Sequence, residues 1–276
     1  MSKPFDATLK ELIRAYPADW LTHLGVPVTE ELPEIIPADL STVTAAADTL
    51  IRVGDRIIHI DVESGPDDSL AGRILLYNVL AYRQTGLPVR SIAVLLRSNA
   101  QRANHTDRVE YEDLSFGFRL VKVWELPAED LLQAGIGLLP LAVLGQPPSG
   151  MTRAQALPAQ TERIVARAKA EAGPRASEVV TAAFILAGMH SNPDFLRSIF
   201  EGAITMIESS AFQVIEDLAN ERMLREVLLQ QGTAKYGPPT DDQAARLAAI
   251  QNLARLRRLT VRFVKVDSWE ALLRGR

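Results

Sequence analysis

The pattern of apolar and polar positions in residues 47–64 predicts a two-stranded β-hairpin. Two mainly apolar runs flank the pair Gly54-Asp55, and a glycine at the first of two loop residues is typical of a type II′ turn. We expect Val53 to pair with Arg56 across this turn, which fixes the register of the whole hairpin.

This register places several acidic residues on one face of the hairpin. Asp48 lies opposite Asp61, and Glu63 shares the face of Asp61 because side chains alternate along a strand. Cross-strand neighbours have Cβ atoms about 5 Å apart, where like charges are destabilising. Three carboxylates on one small patch are explained by a cation among them, and their hard oxygens suit Mg²⁺ or Mn²⁺.

A simpler interpretation of the same spacing stays open. Residues 59, 61 and 63 could form the solvated face of an amphipathic strand, with Asp48 close to its end by accident. His59 lies on this face, one strand step from Asp61. It is a candidate base or ligand, although a single histidine on a strand is more often structural or exposed.

The segment after the hairpin predicts a β-α-β unit over residues 57–97. Apolar residues recur at helical spacing from about 69 to 85, and Gly86 follows as a C-cap. A near-continuous apolar run in 90–97 then indicates a buried strand. We expect the two strands to be parallel and their crossover to be right-handed.

Helical periodicity dominates the rest of the chain. An N-terminal helix over 5–24 is interrupted at Pro17, and one further strand is predicted from Phe116 to Trp124. The Pro- and Gly-containing segment 146–150 is the best linker. We therefore expect an α/β domain over 1–146 and a helical region over 147–276. After Pro127, helices are predicted at 128–134, 151–172, 175–189, 193–231, 240–258 and 267–273.

Composition narrows the class of protein. The chain of 276 residues has 47% hydrophobic residues, 23% charged residues and a formal net charge of −4, and it contains no cysteine. Disulfides, zinc–thiolate sites and cysteine nucleophiles are thus excluded. The start does not resemble a signal peptide, and the longest apolar run, 136–145, is too short to cross a bilayer. We expect a cytoplasmic protein with no membrane contact, and the acidic balance argues mildly against a simple nucleic-acid binder.

Asp48 followed by Asp61-x-Glu63, a helix and a strand resembles the core of the PD-(D/E)XK nuclease superfamily. More closely, the chain resembles the Rpn/YhgA-like branch of recombination-promoting nucleases and transposase-related proteins. The resemblance extends over most of the chain through segments that are each weak alone: 5–13, 47–50, 58–64, 73–78, 86–89, 123–127, 137–142, 206–210 and 268–273.

The resemblance implies a restriction-endonuclease-like mixed sheet flanked by helices, followed by the α-helical C-terminal region. It also implies a DNA endonuclease that hydrolyses phosphodiester bonds with Mg²⁺ or Mn²⁺, linked to recombination or mobile elements. Asp48 matches the first metal-binding aspartate, and Asp61 takes a position that is usually Glu. Glu63 stands where the superfamily has Lys and this branch usually has Gln.

The role of Glu63 distinguishes two functional hypotheses. An ionised Glu cannot donate a hydrogen bond to a phosphate, and two like unit charges 4 Å apart repel by about 4 kcal/mol at an effective dielectric constant near 20. Glu63 is either a third metal ligand or the sign of a site that has lost efficient catalysis. The alternative function is a decayed nuclease fold that acts as a protein- or DNA-interaction module.

Three further residues carry weaker expectations. Glu11 is a candidate accessory acid on the N-terminal helix, although a solvated helix residue explains it as well. Lys10 and Arg73 are candidate DNA-phosphate contacts, against the alternative of ordinary surface cations. DNA is the expected partner, and a homodimer through the helical region would supply the two sites that a double-strand cut requires.

Overall fold

The structure of the chain is a computed structural model that describes residues 4–27, 33–36, 49–98, 106–250 and 252–274. Contacts divide the chain into two units. Unit 1 consists of Met1–Ala187 and Arg197–Glu208, and unit 2 consists of Gly188–Leu196 and Ser209–Arg276.

A five-stranded mixed sheet forms the centre of unit 1. The order of its strands is β1-β2-β3-β4-β7, in which β1, β2 and β3 pair antiparallel whereas β3, β4 and β7 pair parallel. The expected α/β class with a mixed sheet is confirmed at this level. The strands are β1 (Glu34–Ile36), β2 (Thr49–Val53), β3 (Arg56–Glu63), β4 (Val89–Leu95) and β7 (Arg119–Lys122).

The hairpin of β2 and β3 has the predicted register. Val53 pairs with Arg56 and Thr49 pairs with Ile60. Gly54 has a φ of +55°, whereas Asp55 has a negative φ, as a type II′ turn requires. Asp48, which the predicted register places opposite Asp61, lies outside the described residues.

The predicted β-α-β unit is also confirmed. Helix α3 (Leu70–Thr85) ends at Gly86, whose φ of +68° is the left-handed conformation of a helix C-cap. β4 then pairs parallel with β3. The apolar stripe of α3 packs on one face of the sheet, where its residues form two clusters with strand residues: Tyr77 and Ala81 with Leu50 and Ile57, and Leu70 and Ile74 with Ala93, Leu95 and Phe118.

The strand predicted from Phe116 to Trp124 is confirmed over Arg119–Lys122, which form β7, but its bounds are wrong. Before β7, the chain forms β5 (Arg108–Tyr111) and β6 (Leu114–Gly117), which pair as a separate hairpin. The turn of this hairpin contains Glu112 at a φ of +43°. Because no glycine or asparagine stands at this left-handed position, the sequence gives no turn signal there.

Two long predicted helices are also wrong, because each one is divided. The segment 193–231 forms α7 (Pro193–Ile199), a 3₁₀ turn over Glu201–Met206, and the start of α8 (Ser209–Tyr236). The buried Phe200 at the bend packs against Phe184, with ring centroids 5.3 Å apart. The segment 240–258 forms α9 (Asp241–Ala248) and the start of α10 (Leu253–Phe263), because the Asn252 side chain accepts a hydrogen bond from the Arg255 backbone N–H and starts a new helix.

The predicted break at Pro17 is confirmed, and the remaining helices lie near their expected positions. The described helices besides α3 are α1 (Pro4–Ala15), α2 (Pro17–His23), α4 (Ala128–Gln133), α5 (Arg153–Glu171), α6 (Ala176–Ala187), α7 (Pro193–Ile199), α8 (Ser209–Tyr236), α9 (Asp241–Ala248), α10 (Leu253–Phe263) and α11 (Trp269–Leu273). Within the described ranges, none of these helices is both long and apolar enough to cross a membrane.

The chain around residue 146 stays attached to unit 1. The Gln146 backbone N–H donates to the Leu126 carbonyl oxygen, and its carbonyl oxygen accepts from the Ala128 N–H. The following helices α5 and α6 also belong to unit 1 by their contacts. The domain boundary expected after residue 146 stays a prediction.

Unit 2 has its own apolar core, formed by α8, α9, α10 and α11. Trp269 lies at its centre and donates a hydrogen bond from Nε1 to the Gly237 carbonyl oxygen over 2.8 Å. The buried residues of this core are Leu228, Leu247, Ile250, Leu256, Leu259, Trp269, Leu272 and Leu273.

Candidate functional site

The predicted acidic face of β3 is buried and holds an arginine. Asp61 and Glu63 point to the side of the sheet that α3 covers, and their side chains are only 1% and 5% exposed. Arg73, one turn into α3, donates from Nε to Asp61 Oδ2 over 3.2 Å and from Nη2 to Asp61 Oδ1 over 2.8 Å. The same Nη2 lies 3.2 Å from Glu63 Oε2. Two carboxylates of β3 therefore converge on one cationic nitrogen.

A third carboxylate completes this group. Asp67, in the turn between β3 and α3, accepts a hydrogen bond from Arg73 Nη1 over 2.6 Å. Its other oxygen accepts from the Ser69 N–H and hydroxyl. Glu63 Oε1 accepts from the Gly65 N–H over 2.9 Å. We call Asp61, Glu63, Asp67 and Arg73 the carboxylate site.

The electrostatics of the site explain how two strand carboxylates remain buried together. Burial alone lowers the pKa of Arg73, but the charges of Asp61 and Asp67 outweigh burial and raise that pKa above its ordinary value. The guanidinium is thus charged at every accessible pH. Its fork makes two parallel bonds to one carboxylate, which is the strongest form of such a pair.

A buried polar chain lies beside the carboxylate site. The His59 ring lies on the same face of β3, and its Nδ1 is 3.1 Å from the Ser91 hydroxyl. Asn78 donates from Nδ2 both to that hydroxyl and to the Val89 carbonyl oxygen. The Ser91 hydroxyl is therefore within hydrogen-bond distance of both the Asn78 amide and the His59 ring. Within the described ranges, no hydrogen-bond partner meets the buried Nε2 of His59.

The His59 imidazole is neutral in this environment. Burial, reinforced by the positive charge of Arg73, lowers the pKa of His59 to about 4. Its ring meets Tyr77 edge-to-face at a centroid distance of 5.7 Å. The imidazole is therefore held as a neutral, packed ring, which agrees with the structural alternative for His59.

The side chains around Asp61 and Glu63 are the candidate ligands for the metal ion that the resemblance implies. In the described part of the chain, no group of three or more acidic or histidine side chains is arranged to hold a metal. Asp61 and Glu63 do converge on one point, and that point holds the Nη2 of Arg73. Two carboxylates at a cation's position suit a divalent ion, which would compete with the guanidinium for the same oxygens. Asp48, the predicted further ligand, is outside the described residues.

The other predicted residues lie elsewhere on unit 1. Glu11 is exposed and forms an ion pair with Arg14 over 3.1 Å. It lines a groove of about 540 Å³ whose other charged residues are Arg14, Arg175, Glu178 and Glu208, none of which belongs to the carboxylate site. Lys10 lies half-buried on α1. The roles proposed for Glu11, Lys10 and Arg73 stay predictions.

Sequence reasoning missed the link between Arg73 and the acids of β3. It treated Arg73 as a phosphate contact and did not single out Asp67. A signal was nevertheless present, because Arg73 stands between Leu70 and Tyr77 at helical spacing, on the stripe that covers the sheet. A cation on the buried face of a helix, above a strand with two acids, predicts an ion pair because buried charges are paired.

Comparison with known proteins gives no neighbour for this site. The chain matches no protein-family model, no curated protein and no solved structure.

Proposed function

We propose that the chain is a metal-dependent DNA endonuclease on a restriction-endonuclease-like core, related to the Rpn/YhgA-like nucleases that its sequence resembles. One observation carries this proposal. Oxygen atoms of Asp61 and Glu63 lie 2.8 Å and 3.2 Å from the same nitrogen of Arg73. Two carboxylates that converge on one cationic atom provide two oxygen ligands of the kind that Mg²⁺ and Mn²⁺ prefer.

The position of these acids in the sheet supports the proposal. β3 pairs antiparallel with β2 and parallel with β4, and α3 connects β3 to β4. This is the hairpin–helix–strand order that the resemblance implies. Asp61 and Glu63 lie in the last part of β3, where the strand leads into the turn that contains Asp67.

Each residue has a defined task in this proposal. Asp61 and Glu63, with Asp48 as the predicted further ligand, would hold the cation. When bound, the ion would polarise a phosphodiester and lower the pKa of a water molecule. Arg73 has to release the oxygens of Asp61, and Asp67 keeps the guanidinium in an ion pair when it does so. The released cationic group would then lie beside the phosphate, as predicted for Arg73.

A second candidate function is favoured by a different observation. Arg73 makes two bonds to Asp61, so the acids already have a counter-ion without a metal. Glu63 also cannot take the role of the superfamily lysine, since a carboxylate donates no hydrogen bond. On this alternative, the chain is a decayed nuclease fold that serves as an interaction module.

A plasmid-nicking assay tests the proposal. We expect wild-type protein to nick supercoiled DNA in Mg²⁺ or Mn²⁺ but not in EDTA, and we expect Asp61→Asn and Asp48→Ala to abolish nicking. Asp55→Asn is the matched control, because Asp55 is an exposed hairpin-turn carboxylate that forms an ion pair with Arg56 at the surface. If wild type and Asp61→Asn leave the plasmid equally intact in both metals, the interaction module replaces the nuclease.

A further inference from the structure

Unit 2 contains one stretch of sequence in which the charged residues are all basic. The whole chain has a formal net charge of −4. The sequence between Asp242 and Asp267, however, has no acidic residue. It has six basic residues, which are Arg246, Arg255, Arg257, Arg258, Arg262 and Lys265. Helix α10 and the turn after it carry five of these six. A strongly basic helix in an acidic chain indicates an anionic ligand.

The packing of α10 determines which cations reach solvent. Leu256 and Leu259 are buried in the core of unit 2. Arg257 and Arg258 are exposed on the other side of the helix, and Lys265 is exposed in the turn that follows. Lys265 follows the last residue of α10 by two positions, so the three exposed cations lie within nine residues of the chain. We call Arg257, Arg258 and Lys265 the basic face.

The basic face is not neutralised by acids in the described part of the chain. None of its three side chains forms an ion pair or a side-chain hydrogen bond there, whereas nearby cations do. Arg246 pairs with Glu270 over 3.0 Å, and the Arg262 guanidinium donates to the Arg274 carbonyl oxygen. The three cations of the basic face are therefore available to an external anion.

The apolar residues of α10 decide between a nucleic acid and a membrane as the anion. A helix that lies on a bilayer inserts a broad apolar face. The main apolar residues of α10 are instead committed to the core of unit 2. Only Val261 and Val264 are exposed between the cations, and exposed aromatic residues are absent from this described segment. Phosphate groups of a nucleic acid need the cations alone.

We propose that the basic face of α10 binds the phosphate backbone of DNA. The choice of DNA as the polyanion rests on the proposed function, while the position of the surface rests on α10 itself. Each arginine or lysine that neutralises a phosphate releases condensed counterions, so affinity falls with salt by a predictable slope. Contacts of this kind bind DNA without sequence preference.

The test is the salt dependence of DNA affinity, measured by fluorescence anisotropy of a labelled duplex in EDTA so that no cleavage occurs. We compare wild type with Arg257→Ala/Arg258→Ala/Lys265→Ala. Three lost contacts reduce the slope of log affinity against log salt by about 3. Between 50 and 200 mM salt, wild-type affinity should then fall ~40-fold more than that of the variant.

The matched control removes the same charge from unit 1. Arg83, Arg90 and Lys169 are exposed cations outside the carboxylate site, so Arg83→Ala/Arg90→Ala/Lys169→Ala should keep the wild-type slope. Arg257→Lys/Arg258→Lys should also keep it, because the charge remains. Equal slopes for the basic-face variant and wild type would overturn the inference. So would a variant that loses binding to phosphatidylglycerol vesicles while it keeps wild-type binding to DNA.

This result is independent of the nicking assay. If wild type binds DNA through the basic face but nicks no plasmid in either metal, the endonuclease proposal is wrong, whereas the proposal that the basic face binds DNA is supported. If the protein nicks DNA and the basic-face variant binds DNA with the wild-type slope, the proposal that the basic face binds DNA is wrong, whereas the endonuclease proposal is supported.

Discussion

Arg73 holds Asp61 by two hydrogen bonds, 3.2 Å from Nε to Oδ2 and 2.8 Å from Nη2 to Oδ1. This contact explains how β3 carries two acids on a buried face. The sequence alone suggested a metal ion as the way to relieve their repulsion. The Arg73 guanidinium is another way, and it comes from the helix that covers the strand.

Replacement of Arg73 should destabilise the protein, because the buried acids depend on its positive charge. Arg73→Met keeps the bulk of the side chain but leaves Asp61 and Glu63 buried without that counter-ion. Removal of one partner from a buried ion pair costs 3–5 kcal/mol, and we expect about 3 kcal/mol because the Arg73 side chain is 29% exposed. Urea unfolding in metal-free buffer measures this loss.

Arg83→Met is the control, since Arg83 is exposed on the same helix. It should change the free energy of unfolding by no more than about 0.5 kcal/mol. Equal stability of the two variants would mean that the carboxylate site does not depend on Arg73.

His59 should make the protein sensitive to mild acid. Its pKa is lowered to about 4 in the folded protein, chiefly by burial, whereas the unfolded chain has the ordinary value of 6.5. Between these values the unfolded state binds more protons, so stability falls as the pH decreases from 6.5 to 4. The contribution that is lost amounts to about 3 kcal/mol.

His59→Gln removes the titrating group, so it should flatten this part of the stability–pH curve. Thermal or urea unfolding at several pH values between 7.5 and 4 measures the slope for both proteins. A variant whose stability falls as steeply as that of wild type would show that other groups govern the acid response.

Gly232 should tolerate no side chain. A Cβ at this position of α8 would come within 2.2 Å of the Trp269 ring, so Gly232→Ala forces the centre of the unit 2 core to shift. Overpacking of this kind costs about 1–3 kcal/mol. Urea unfolding followed by tryptophan fluorescence measures the loss.

Gly72→Ala is the matched control for that change. Gly72 lies within α3, and a Cβ there meets no atom within 4 Å. The substitution should be neutral or stabilise the protein by up to about 1 kcal/mol, because alanine has the higher helix propensity. Similar losses for both alanine variants would argue against the described packing of Trp269.

The elements that were predicted correctly are those with a local signal. Gly54 fixed the hairpin turn and its register, and Gly86 marked the end of α3. The hairpin at Glu112 was missed because a glutamate occupies its left-handed position. The break before α10 was missed because Asn252 was not recognised as the N-cap of a new helix within an apolar pattern that continues.

The candidate site was predictable only in part. Strand alternation alone predicts that Asp61 and Glu63 lie on one face of β3, and the structure confirms this prediction. The ion pair with Arg73 joins two elements, and its geometry depends on how α3 packs over β3. The ion pair of Arg73 with the two acids therefore cannot be predicted without the fold. The position of Arg73 on the apolar stripe of α3 was nevertheless a usable indication.

The proposed nuclease requires Asp61 and Glu63 to bind a divalent cation. Calorimetric titration of Mn²⁺ and Mg²⁺ into metal-free wild type and Asp61→Asn measures this binding, with Asp55→Asn as the surface control. We expect saturable binding to wild type and to Asp55→Asn, and its loss in Asp61→Asn. Absence of binding to wild type, or binding that Asp61→Asn leaves unchanged, would show that these two acids do not form a cation site.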